Sequence, residues 1–215
     1  MILAAGRGER LRPVTKNMPK ALVEVAGVSL LERHLRLLKD AGVDTVVINL
    51  GWHGEQIVER VGSGSNFGLQ VVYSPEYDRL LETGGGIRRA LPLLGQKPFW
   101  VVNADVFTDF RLPPPVLQRD EMARLVLVPT PPHKAVGDFA LQNGKIENTG
   151  DPLYTFSGIA CYSPQFFANS DSGRFPLAPM LRAAADRSEL GGSLYTGVWE
   201  DVGTPERLRS LNEIG

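Results

Sequence analysis

A single cysteine, Cys161, stands in the whole chain. No intrachain disulfide and no cysteine-based zinc site can therefore be built. It lies in the apolar string GIACY, where a core position is expected. No apolar run approaches the ~20 residues that a membrane-spanning helix needs. No signal peptide is expected, because the sequence opens directly on a core strand. Bulk charge of one sign is missing too: 23 Lys and Arg against 24 Asp and Glu leave a net −1. That balance argues against a nucleic-acid binder, which relies on neutralising phosphates. Two common phosphate signatures are absent. No G-x-x-x-x-G-K-[ST] string occurs, and Gly6-x-Gly8 is followed by Leu11 and Pro13 rather than by the third glycine of G-x-G-x-x-G. No Ser/His/Asp nucleophilic set is visible. His34 sits on a leucine-rich helix, and His53 and His133 sit in loops without a metal-ligand partner. The expectation is a cytoplasmic enzyme with no nucleic-acid or membrane partner, a monomer or weak homo-oligomer.

The first twenty residues carry the strongest signal. The apolar run Met1 to Ala5 reads as a strand cut to its last residues. It opens into a loop with Gly6, Arg7, Gly8, Arg10 and Arg12, and closes on Pro19-Lys20. Glycines let a backbone approach a ligand and take φ > 0. Successive N–H groups in such a loop form an anion-binding concavity, and Arg10 and Lys20 add full charges suited to phosphate oxygens. The expectation is a triphosphate cradle on a parallel sheet.

Strand and helix patterns then alternate, as in a mostly parallel sheet covered on both faces. Ser29-x-x-Glu32 reads as a capping box. Leu31, Leu35 and Leu38 follow at helical spacing, and Gly42 ends that helix. Val43 to Leu50 and Leu69 to Tyr73 read as strands, with a helix around Glu55 to Val61 between them. LETGGGIRRALPLL reads as a glycine turn running into a helix, and PFWVVNAD as a central strand. Prolines interrupt the second half. There DFALQNGKIE predicts a hairpin turning at Asn143-Gly144, LYTFSGIACY a paired strand, and FPLAPMLRAAAD a short helix. SLYTGVWEDVG predicts one strand, and Thr204-Pro205-Glu206 the start of the last helix. The 215 residues suit one domain, with a nucleotide-binding half over 1–110 and a sugar-binding half over 111–215.

Asp105 ends the strand PFWVVNAD, and ligands of open α/β sheets bind at the carboxyl ends of strands. A carboxylate there suits Mg²⁺, which takes one or two carboxylates plus phosphate oxygens and waters. Asp201, ending YTGVWED, is the second candidate ligand, although aspartates at strand ends also form turns. Asp109 is expected in a turn or behind the ligand-bearing residues. In Glu82-Thr83-Gly84-Gly85-Gly86, the glycines would let a planar base pack on the backbone; the alternative is a flexible start to the helix. Asp138, beside Gly137, and Ser157 could hydrogen-bond sugar hydroxyls, although Asp138 equally suits a position flanking the hairpin.

The string LAAGRGERLRPVTKNMPK resembles the signature of the sugar-1-phosphate nucleotidyltransferases, matching at Leu3, Ala4, Ala5, Gly6, Gly8, Arg10, Pro13, Thr15, Pro19 and Lys20. Together with LETGGGIRRALPLL, VVNADVFTD, TFSGI, FPLAPMLR and WEDVGTPERL, the chain is similar to the branch that uridylylates N-acetylmuramate 1-phosphate. Mannose-1-phosphate guanylyltransferases and, more distantly, a non-catalytic sugar-nucleotide sensor are the alternatives. The resemblance implies a Rossmann-like, GT-A-like α/β fold, with helices on both faces of a mixed, mostly parallel sheet. It implies UTP and a sugar 1-phosphate as partners and Mg²⁺ as cofactor. Arg10, Lys20, Asp105 and Asp201 would be catalytic, the two aspartates as metal ligands. Leu3, Ala4, Ala5, Gly6, Arg7, Gly8, Glu82, Thr83, Gly84 and Gly85 would hold the nucleotide. Asn103, Gly137, Asp138, Asn148, Ser157 and Arg182 would bind the sugar phosphate. The family's Glu-Lys-Pro motif is replaced by Glu147-Asn148-Thr149, so the usual lysine anchor is missing. For the lactyl carboxylate of an N-acetylmuramate, Arg182 is favoured over Lys134, with a solvated helix-end arginine as the alternative.

Overall fold

The computed structural model describes residues 1–77 and 79–214. Its first part contains β1 (Ile2–Leu3), β2 (Glu24–Val25), β3 (Val28–Ser29), α1 (Leu30–Asp40), β4 (Thr45–Leu50), α2 (Gly54–Val61), β5 (Gln70–Pro75) and α3 (Glu82–Leu94). Then come β6 (Phe99–Asn103), β7 (Val106–Thr108), β8 (Ala123–Val128), β9 (Phe139–Gln142), β10 (Lys145–Glu147) and β11 (Leu153–Tyr162). The chain continues through α4 (Ala178–Asp186), β12 (Leu190–Leu194), β13 (Trp199–Asp201) and α5 (Pro205–Ile214). Nine strands form one sheet in the order β5-β4-β1-β6-β11-β8-β12-β10-β9. β5, β4, β1 and β6 run parallel. β11 lies antiparallel to both β6 and β8, and β12 is again parallel to β8.

The period of two along the strands fills both faces. Val46, Ile48 and Leu50 of β4, Trp100 and Val102 of β6, and Ile159 and Cys161 of β11 face one apolar cluster with Leu31, Leu35 and Leu38 of α1 and Ile57 and Val61 of α2. Their neighbours Val47, Phe99, Val101, Ala160 and Tyr162 face the other, with Ile87 and Ala90 of α3 and Leu181 and Ala184 of α4. Each fully buried leucine of α1 contributes about 2 kcal/mol of apolar transfer. The capping box that starts α1 is complete, Ser29 and Glu32 each bonding the other's backbone N–H. Cys161 is buried as expected, and burial pushes its thiol up to about 12, leaving it unreactive. The Asn143-Gly144 turn joins β9 to β10 with both residues at positive φ.

Two sequence expectations change. SLYTGVWEDVG is not one strand. β12 ends at Leu194, and β13 pairs antiparallel with β7 in a separate small sheet. Asp109 explains the break: it accepts from the Tyr195 hydroxyl and the Val198 N–H, pinning the connecting turn. The glycine stretch 84–86 is not a turn before a helix, because α3 begins at Glu82 and takes the glycines into its first turns. α5 closes the molecule. Leu208 and Leu211 pack on a third cluster of Leu11, Val23, Val25, Leu30 and Val202, and the Asn212 amide oxygen accepts from the Ala26 N–H.

Candidate active site

β1 is the point where strand order reverses: β4 and β5 lie to one side of it, β6 to the other. The carboxyl ends beside such a reversal are where open α/β sheets place ligands. A cleft of about 570 Å³ opens there, lined by Leu3 to Arg10, Lys20, Asn103 to Asp105, and Leu80, Glu82 and Thr83. Its floor is tied by buried polar groups. The Asn49 side chain, at the end of β4, accepts from the Ala4 N–H at 2.7 Å and donates to Glu76 at 2.8 Å. Glu76 also accepts from the Leu81 N–H at 2.8 Å, holding the start of α3.

Two glycines of the loop have different reasons. Where a side chain on Gly6 would begin, no atom lies within 4 Å, so the backbone there faces open cleft. Gly8 has φ +61, and a Cβ on it would stand 3.0 Å from Thr15 and 3.1 Å from Lys20. Thr15 fixes this turn through a 2.7 Å bond from its hydroxyl to the Gly8 carbonyl. Arg7 extends over the Trp52 ring. Gly84 and Gly85 do not line the cleft. A Cβ on Gly84 would meet the Phe175 ring at 2.4 Å, and one on Gly85 the Gly173 carbonyl at 2.1 Å. They are small because the segment before α4 packs flat on α3. Glu82 and Thr83 do reach the cleft; Glu82 has φ +61 and pairs with Arg174 at 2.7 Å.

Lys20, Asp105 and Asp201 come together. The Lys20 ammonium is 2.5 Å from Asp105 Oδ2 and 3.6 Å from Asp201 Oδ1. Arg207, on the first turn of α5, donates from Nη1 to both Asp201 Oδ2 and the Asp201 carbonyl, each at 3.0 Å. Arg10 stands 4.0 Å from the same carboxylate. Glu200 lies 3.8 Å from Arg207, and burial raises its pKa although Arg207 opposes the shift. Behind Asp105, His34 is buried, and burial lowers its pKa to about 4. It is a core residue with a neutral ring.

A second cleft of about 460 Å³ shares Arg10, Asn103 and Asp105 with the first. Val106, Pro131, His133, Lys134, Thr155 to Gly158, Trp199, Asp201 and Arg207 complete it. Ser157 and Gly158 lie where the β11–β8 register shifts. Such a bulge re-aims the strand beside a site. Gly158 has φ +79, and a Cβ there would strike the Asn103 amide at 2.6 Å. Asn103 and Ser157 therefore reach this cleft, with Ser157 Oγ accepting from the Ile159 N–H. The other expected sugar residues do not line it. Gly137 is packed against the Leu153 backbone at 2.5 Å. Asp138 stands behind the wall, bonded to Lys134 and to the Phe156 N–H. Asn148 bonds the Arg182 carbonyl and Asp186 on α4, and Arg182 stacks 4.5 Å over the Phe139 ring. An aromatic face and an amide hold that guanidinium away from the cleft, which the helical spacing of FPLAPMLR could not reveal.

The nucleotidyl transferase family model matches residues 1–141. The chain is 45 % identical to the N-acetylmuramate alpha-1-phosphate uridylyltransferase of Neisseria meningitidis, across 100 % of this chain and 96 % of that one. The chain belongs to the nucleotidyl transferase family. The protein of the same description from Caulobacter vibrioides is 31 % identical to this nucleotidyl transferase over 96 % of the chain and 92 % of its own length. In fold, it is similar to a Bacillus anthracis protein described as a glucose-1-phosphate thymidylyltransferase, with TM-score 0.87, 24 % identity, and 99 % and 93 % of the two chains covered. The Rossmann-like α/β fold is shared.

Four residues of this nucleotidyl transferase site, Asn49, Glu76, Arg174 and Arg207, are not among those expected from the sequence. Asn49 and Glu76 stand at the carboxyl ends of β4 and β5, and the strand-end rule that found Asp105 could have found them. Nothing in the sequence ties Arg207 to Asp201. Enzymes of the family generally use a divalent metal. The donors here fit one: two carboxylates converge, and Asp201 Oδ1 is buried with no hydrogen-bond partner. Among the described residues, no group of three or more His, Cys, Asp or Glu gathers. Two carboxylates with room for phosphate oxygens suit a divalent cation that draws its other ligands from substrate and water.

Proposed function

We propose that the chain transfers a uridylyl group from UTP to N-acetylmuramate 1-phosphate, forming the nucleoside diphosphate sugar and pyrophosphate. The observation that carries this reading is the meeting of two clefts at Asp105: one runs along the glycine loop, the other along the bulged strand β11. The whole-length likeness to uridylyltransferases of that sugar phosphate supports the choice of substrates.

A phosphate oxygen of the sugar attacks the α-phosphorus of UTP. The new P–O bond forms as the α–β anhydride bond breaks, and pyrophosphate leaves with its electron pair. The nucleophile is already an anion at neutral pH, so no general base is required. The work of the protein is alignment and charge neutralisation between two anions. Leu3 to Gly8, Glu82 and Thr83 hold the nucleoside and triphosphate. Arg10, 70 % exposed at the mouth, neutralises the outer phosphates. Lys20, only 13 % exposed and set between the two carboxylates, serves the α-phosphate. Asp105 and Asp201 would hold Mg²⁺, which when bound neutralises phosphate oxygens. Arg207 orients Asp201, and Asn103 and Ser157 face the sugar. Residues 1–110 supply the nucleotide side and residues 111–215 most of the sugar side. A cytoplasmic setting and a monomer or weak homo-oligomer belong to the same reading; among the described residues, no helix is long and apolar enough to cross a membrane.

Pyrophosphate release measured for UTP and GTP, each with N-acetylmuramate 1-phosphate and mannose 1-phosphate, tests it. UTP with the N-acetylmuramate should dominate the grid. Dominance of GTP with mannose 1-phosphate would overturn the reading.

A further inference from the structure

The sugar proposed above differs from N-acetylglucosamine by one group, an anionic lactyl ether at C3, two ring carbons from the phosphate at C1. A cleft that selects it must offer a cation away from the reacting carboxylates, because a buried carboxylate without a partner is costly. The second cleft presents three side chains that carry a positive charge at neutral pH: Arg10, Lys134 and Arg207. Two belong to the reacting end. Arg207 is spent on Asp201 and lies near Glu200, and Arg10 faces Asp201 and lines the nucleotide cleft as well. Lys134 is bonded to neither aspartate. Its ammonium is 2.5 Å from Asp138 Oδ2, and the same oxygen accepts from the Phe156 N–H at 2.9 Å. The lysine is thus fastened to the sugar-facing strand by a carboxylate that is itself fastened to the backbone. An ammonium has three donors, and this pairing takes one. The side chain is 34 % exposed, so it stays reachable from the cleft.

Resting on the substrate reading above, we propose that Lys134 is the specificity residue for the acceptor sugar. Its free N–H donors take the lactyl carboxylate while Asp138 fixes its position. Arg182, favoured on sequence grounds, is turned onto Phe139 and bonded to Asn148. The loop Pro131–Lys134 therefore does the work that helix α4 was expected to do.

The test compares kcat/KM for N-acetylmuramate 1-phosphate and N-acetylglucosamine 1-phosphate, both with UTP, in wild type, Lys134→Met, Lys134→Arg and Lys134→Met/Asp138→Asn. A charge-assisted hydrogen bond in a partly exposed site corresponds to a fall of about tenfold in the ratio of the two sugars for Lys134→Met. Lys134→Arg should keep most of the ratio. The double variant removes the carboxylate left unpaired by the single change. If the ratio stays low there, the lysine contacts the lactyl group directly. If the ratio recovers, Lys134 serves only to neutralise Asp138, and the proposal is overturned. A wild type that shows no preference for the lactyl-bearing sugar overturns the substrate reading itself. A wild-type preference that Lys134→Met leaves intact overturns only the role of Lys134.

Discussion

Arg207→Met is the most informative single change, because it perturbs Asp201 without touching it. The guanidinium Nη1 makes two 3.0 Å bonds, one to the carboxylate and one to the carbonyl of the same residue. The side chains are 18 % and 27 % exposed, so solvent screens the pair only in part. At 3.0 Å and an effective dielectric of ~20, the gross attraction is about 5 kcal/mol. Desolvation of both partners cancels a large share, leaving a net of about 2 kcal/mol. For a domain of this size that lowers Tm by about 4–8 °C. Methionine keeps an unbranched aliphatic chain at this position, so the loss reports the charge. Asp201 then keeps only its longer contacts to Lys20 and Arg10, and its carboxylate can swing. Turnover should fall about tenfold, with a raised Mg²⁺ requirement. Calorimetry and steady-state kinetics on Arg207→Met, Asp201→Asn and the double variant would form a cycle. A coupling energy above 1 kcal/mol in stability is expected. Additivity within about 0.3 kcal/mol would refute the claim that Arg207 acts through Asp201.

Asp105→Ala and Asp201→Ala should each cut turnover about a hundredfold or more while leaving the fold intact by circular dichroism; near-wild-type activity in Asp201→Ala would remove it from the metal site. Arg10→Ala should act mainly on KM for UTP and Lys20→Ala mainly on kcat, since one is exposed at the mouth and the other sits between the carboxylates; equal KM effects would erase the distinction. His34 carries a pH signature. Its native pKa of about 4 lies below the unfolded value of 6.5, so its contribution to stability is complete above pH 6.5 and lost as pH falls towards 4. Between pH 7 and pH 5 the wild type should lose about 2 kcal/mol more than His34→Gln in urea unfolding, and parallel losses would mean the ring is protonated in the native state. Gly85→Ala, whose Cβ would stand 2.1 Å from the Gly173 carbonyl, should cost about 1–3 kcal/mol by forcing two backbones apart, read as a lowered Tm.

Local signals in the sequence found what local physics determines. The capping box, the Asn143-Gly144 turn and the leucine stripe of α1 each lie within a few residues, and each forms as expected. The glycine loop and the strand-end Asp105 followed from backbone rules that need no partner. What depended on distant packing stayed hidden. The three glycines of α3 looked like a platform for a base, yet two of them are small because of Gly173 and Phe175. The break between β12 and β13 depends on Asp109, far away in the sequence. Arg182 had the right charge in a plausible place, but its direction is set by Phe139 and Asn148. Charge can be counted in a sequence; the partner that uses it up cannot.

The Lys20–Asp105 contact joins residues 85 positions apart, and Asp201 reaches the same ammonium from near the other end of the chain. The scaffold of β4, β5 and α1 can form from neighbouring segments. The cluster proposed for chemistry depends on α5 and the small β7–β13 sheet, which hold Asp201. A change that loosens α5 or the β7–β13 sheet would therefore displace Asp201 and leave the glycine loop in place. The second carboxylate is thus held from the far end of the chain, by the last helix and the smaller sheet.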